Sequence, residues 1–154
     1  PRNPVLLAAL AMGLWGQIAL GTAVMSLCAA VHIGLIVVAM KPLSRMDAHF
    51  RDHFTIVRAG LLIGSGFALT VFGHTVQVWI WALALLLLGA FQTIELSVYF
   101  ALASFTTLGY GDITLGDDIR VFGAFSAVTG MLTFGVSTAF LVGLIGRALP
   151  KNLH

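Results

Sequence analysis

The chain has 154 residues, of which 59% are hydrophobic and 9% charged, with a formal net charge of +2. Soluble domains carry about 25% charged residues, so this chain is too poor in charge to cover a water-facing surface, and its mean hydropathy of +1.02 excludes disorder too. The single cysteine, Cys28, excludes a disulfide-stapled domain, and so small a positive charge argues against a nucleic-acid partner.

What remains is a multi-pass membrane protein, and the charged residues divide it into blocks. Val5 to Met40 holds no Lys, Arg, Asp or Glu. A spanning helix needs about 20 apolar residues. The block therefore reads as one tilted helix near Gly16–Met40 behind an interfacial stretch; the alternatives are a hairpin broken near Gly21 or a secretory leader. A polar linker follows, Lys41 to His53, in which His49 and His53 stand four apart as solvated residues or a metal pair. The next uncharged block, Ala59 to Thr93, with an amphipathic lead-in from Phe54, predicts an outer helix over about 54–88. Ile94 to Phe105 is apolar but too short to cross a bilayer, so it is expected to dip in and return as a half-helix. The last uncharged block predicts an inner helix over about 119–147.

Lys41, Arg45, Arg51, Arg58, Arg147 and Lys151 flank one set of helix ends, whereas Thr93–Asp118 carries four of the six acids and no Lys or Arg. Short loops rich in Lys and Arg stay in the cytoplasm. The linker and C-terminus are therefore expected inside, in a bacterial inner membrane, and the acidic segment outside.

The chemistry is expected in the segment after the half-helix. Irregular backbone at membrane depth survives only where it is buried in protein or lines a wet cavity. In Thr107-Leu108-Gly109-Tyr110-Gly111 the alternate glycines allow backbone angles other residues avoid, so that successive carbonyls can turn to one side and replace the water around a cation. One chain supplies one wall of such a passage. Several copies around an axis are required.

At these residues the chain resembles the potassium-channel pore family. Thr106-Thr107-Leu108-Gly109-Tyr110-Gly111-Asp112 is similar to that family's Thr-Val-Gly-Tyr-Gly-Asp string, and the order of helices matches over roughly 54–147. The resemblance implies an all-α membrane fold of outer helix, re-entrant pore helix with selectivity filter and inner helix in a pore domain of 54–154, with an additional N-terminal transmembrane helix and linker in 1–53. It implies a homotetramer passing K+ through a filter made by Thr107, Leu108, Gly109 and Tyr110, supported by Thr106, Gly111 and Asp112. No cofactor beyond the permeant ion, and no enzymatic activity, is expected. Two alternatives share the fold: a weakly selective cation channel, and a non-conducting regulatory subunit.

The departures are specific. Leu108 stands for the usual valine, Tyr99-Phe100 stands where many members carry two tryptophans, and Ala103 replaces the carboxylate that in some members pairs with the aspartate after the second glycine. Asp112 is thus expected to lack that partner. Asp117 and Asp118 either enrich cations at the mouth or cap the inner helix, and Glu95 suits the start of the pore helix. Gly130 and Gly135 are hinge candidates; small-residue packing is the other reading, and the one preferred for Gly135. Thr133 and Ser137 either face the pore cavity or bond back to helix carbonyls. His32 and His74 lie within apolar spans, where ionisable groups are functional hypotheses by default. They either bond to a neighbouring helix or sense pH.

Overall fold

The structure is a computed structural model and describes residues 13–49 and 55–148. Four helices account for it: α1 (Leu14–His49), α2 (Thr55–Leu87), α3 (Ile94–Phe105) and α4 (Arg120–Ala148). No strand occurs among the described residues. Three of the helices, α1, α2 and α4, are long and apolar enough to cross a membrane. The protein is an all-α membrane protein. His53, Arg51, Lys151 and the stretch before Gly13 lie outside the described residues.

The first block is one helix, not a hairpin. Gly21 does not break it; a Cβ there would lie 2.6 Å from the Phe125 ring, so the missing side chain lets α1 press against α4. The helix also extends beyond the expected end at Met40 and takes in most of the polar linker as far as His49, with Pro42 inside it. Proline removes one backbone donor, but the flanking Met40 to His49 residues are otherwise compatible with helix. Asp47 on this extension accepts a 2.7 Å bond from Arg58 Nε of α2, which ties the two helices together at this end. Leu43, Leu62, Leu144 and Ala148 form a small apolar cluster of buried residues from α1, α2 and α4.

The other three helices follow the sequence closely. α3 is 12 residues long, about 18 Å at the usual rise, and cannot span. Thr93 caps it, accepting a bond from the Leu96 amide at 3.4 Å, and Glu95 stands in its first turn as the dipole favours. α3 packs on α2 and α4, while α1 packs on the same two helices. Trp81, Leu85, Ala101, Phe105, Ile119 and Phe122 fill the main core between them. The rings of Trp81 and Phe122 lie 5.2 Å apart. Most large apolar side chains outside this core are exposed, as a lipid-facing protein requires.

Candidate functional site

The half-helix α3 ends at Thr106, whose amide and hydroxyl both donate to the Leu102 carbonyl, at 3.0 and 2.8 Å. The chain then doubles back. The Thr107 amide donates to the Ser104 carbonyl (2.9 Å) and the Gly109 amide to the Ala103 carbonyl (3.1 Å). The last-turn carbonyls, which a helix end leaves without partners, are in this way satisfied by the segment that follows.

That segment alternates in backbone hand. Thr107, Gly109 and Gly111 have φ of 59°, 52° and 77°, while Leu108 and Tyr110 have none in the positive range. Glycine takes such angles freely. A β-branched residue there is an outlier, and Thr107 is the one non-glycine residue with positive φ among the described residues. Helices often end on a left-handed residue, usually glycine. Here threonine bears that strain, of order 1–3 kcal/mol, at the first residue of the string.

Asp112 has a partner of another kind. The Tyr99 hydroxyl donates to its Oδ2 at 2.6 Å. Ala103 supplies no carboxylate partner, as read from the sequence; a phenol from one turn earlier on α3 reaches Asp112 instead. This bond, with the negative charge beside it, raises the Tyr99 pKa above its ordinary 10.0. Phe100 packs at 5.3 Å against Phe91. Between α3, the segment and α4 lies a cavity of about 700 Å³, lined among others by Tyr99, Ala103, Thr107, Tyr110 and Asp112.

The acids at this end have separate roles. Asp117 pairs with Arg120 at 2.8 Å, both side chains well exposed. The Asp118 carboxylate lies against Gly116. Neither accepts from the first amides of α4. Gln17 of α1 does that, its Oε1 accepting from Val121 N at 3.1 Å and Phe122 N at 3.4 Å. Gln17 is buried and was not singled out from the sequence; a lone amide in an uncharged apolar block was the available signal.

On α4, a Cβ at Gly130 would overlap the backbone carbonyl of Phe105. The glycine is required where the end of α3 abuts the inner helix. Gly135 has open space around its Cβ position, so the packing role preferred for it finds no neighbour within this chain. Thr133 is buried and bonds back to the Thr129 carbonyl at 2.9 Å. Ser137 is also buried but bonds to His32 Nε2 (2.9 Å) and His74 Nε2 (3.0 Å). Both histidines thus bond to other helices. His74 meets Ser137, while Gln77 donates to His32 Nδ1 at 2.9 Å.

A short helix that cannot span, a backbone of alternating hand after it, and two flanking spans together define a pore-loop membrane protein. Residues 73–147, just under half of the chain, match the family described as ion channel. No curated protein and no solved structure matches the chain. Helix α1 lies wholly outside the matched segment.

Proposed function

We propose that the chain is one subunit of a homotetrameric, potassium-selective channel, with Thr107, Leu108, Gly109 and Tyr110 supplying the ion ligands. The observation that carries this reading is the alternation of backbone hand along residues 107–111. Carbonyls of a regular strand point alternately to opposite sides. Inverting every second residue turns them all to one side, and four such rows about an axis replace the hydration shell of a bare monovalent cation.

Two further features support it. Threonine persists at the strained position 107 where glycine would be unstrained, which fits a use for its hydroxyl as the innermost ligand. Leu108 and Tyr110 are 55% and 69% exposed, as expected of a filter whose outer side is packed by neighbouring copies. Asp112, Asp117 and Asp118 then ring the outer mouth and raise the local cation concentration, and Thr106 and Gly111 hold the two ends of the filter. The Lys- and Arg-bearing end faces the cytoplasm, in a cell membrane of bacterial type. Gly130 and Gly135 are the hinge candidates on α4, with open space around Gly135 alone.

Potassium flux from proteoliposomes tests this. The expected result is barium-sensitive efflux that Gly109→Ala abolishes. A Cβ at Gly109 meets nothing within 4 Å, so the substitution acts through the left-handed backbone, at roughly 1–2 kcal/mol per residue, and not through a clash. Normal flux in Gly109→Ala would contradict the filter assignment.

A further inference from the structure

Side chains of α1, α2 and α4 meet in a buried polar chain midway along the helices. Gln77 Nε2 donates to His32 Nδ1, and both His32 Nε2 and His74 Nε2 lie within 3.0 Å of the one Ser137 hydroxyl. The two imidazoles stack, with centroids 5.1 Å apart and planes 28° from parallel. Gly73 permits this, because a Cβ there would stand 3.1 Å from His32 Nδ1. Two atoms of this histidine cluster are buried without a hydrogen-bond partner, His74 Nδ1 and Gln77 Oε1.

We propose that His32, His74, Ser137 and Gln77 form an intramembrane proton-binding site that latches α1 to the inner helix and makes conduction respond to pH. Its functional readout rests on the channel reading above.

The bonding order follows from counting protons. A hydroxyl carries one, so it donates to one imidazole nitrogen and accepts from the other. With the Gln77 amide nitrogen donating to His32 Nδ1, neutral His32 holds its proton on Nε2 and donates to Ser137. Ser137 donates to His74 Nε2, and His74 keeps its proton on Nδ1, the atom without a partner. A proton added at His32 Nδ1 displaces the amide nitrogen, and the Gln77 side chain turns to present Oε1, its unused acceptor. One proton is therefore accepted with the Ser137 bridge intact. A second makes both Nε2 atoms donors and sets two positive charges 5.1 Å apart. The bridge then loses its donor to His74, and like-charge repulsion separates α1 from α2 and α4 at this level.

Among the described residues no counter-charge offsets this. Facing the pair are Cys28, one turn from His32 on α1, Gln77 on α2, Phe105 of α3, and Phe134 and Ser137 of α4. None is acidic or basic, and Leu14–Met40 and Ala59–Leu87 carry no Lys, Arg, Asp or Glu. The site reaches the filter by contact. The His74 ring packs edge-on against Phe134 at 4.6 Å and Phe105 at 5.8 Å. Phe105 is the last residue of α3, two before Thr107, and its carbonyl abuts Gly130.

The test is potassium efflux from proteoliposomes between about pH 4 and about pH 8, a window that reaches below the ordinary range of histidine titration. Wild-type flux is expected to change about fivefold or more, as linked sites commonly do. His32→Gln/His74→Gln is expected to be flat over the same range, with His74→Gln, the less buried position, as the milder variant. Ser137→Ala keeps both imidazoles and is expected to lose most of the response. A double variant that keeps the wild-type pH profile, or a flat wild type with normal flux, overturns the proposal. Absence of flux at every pH instead counts against the channel reading, and ¹⁵N-imidazole NMR in lipid then decides the site. Linked titration of His32 and His74, uncoupled by Ser137→Ala, supports it; independent titration overturns it.

Discussion

The pore loop and the histidine cluster solve one problem in opposite ways. Both place polar groups at membrane depth. The loop does it with main-chain atoms from one short run, held by local bonds to the Ala103 and Ser104 carbonyls and by the hand of the backbone. The cluster does it with side chains from three helices, bonded across separations of 45, 63 and 105 residues. A site built on local backbone tolerates few residue types at each position, and it fails when the backbone cannot adopt its angles. A site built on side chains depends on how helices dock, and it fails when one partner is left unpaired.

The largest effect belongs to the loop. Gly109→Ala and Gly111→Ala are expected to abolish potassium flux while leaving the helices intact by circular dichroism, since neither Cβ meets a neighbour. If either variant conducts normally, the loop does not depend on backbone hand and the comparison breaks. Next comes the contact between α3 and α4. Gly130→Ala places a methyl on the Phe105 carbonyl and is expected to cost about 1–3 kcal/mol of stability, the usual range for overpacking. Gly135→Ala is expected to leave the melting temperature unchanged.

Gln17→Leu probes how far α1 supports a pore domain whose family match does not include it. The loss of its cap on Val121 and Phe122 is expected to cost about 1 kcal/mol, read as a lowered unfolding midpoint. An unchanged midpoint would mean that α1 is only a neighbour. Tyr99→Phe removes the bond to Asp112 and is expected to make the current decay faster without changing tetramer assembly. Because the Tyr99 pKa is raised, its bond is present below pH 10.0 and is lost only as pH rises through the higher folded value. The mouth is therefore expected to be insensitive to pH from neutral to 10.0, a window distinct from that of the histidines. Smallest of all, Asp47→Asn breaks a partly exposed ion pair with Arg58 and is expected to cost less than about 1 kcal/mol.

The same contrast explains what could be read beforehand. The half-helix 94–105 and the string Thr107 to Asp112 stood out because their chemistry is contiguous, and hydropathy placed the outer and inner helices to within a residue of Thr55–Leu87 and Arg120–Ala148. The N-terminal helix was foreseen, but not its run through Lys41 to His49, where polar residues hide a continuing helix behind the pattern of a loop. The Tyr99–Asp112 bond was not legible because the family pattern points to position 103, one turn further along, where alanine stands. His32 and His74 could be flagged as costly at that depth, yet neither Ser137 nor Gln77 could be assigned to them. Which faces of α1, α2 and α4 meet is decided by packing, and the uniform apolarity of these helices leaves no amphipathic stripe to read.

The most direct test is the reversal potential of the reconstituted protein with potassium on one side and sodium on the other. Four backbone-lined walls about a shared axis predict a value close to the potassium equilibrium potential. A reversal potential near zero, from a protein that conducts, would contradict a carbonyl filter at residues 107–110.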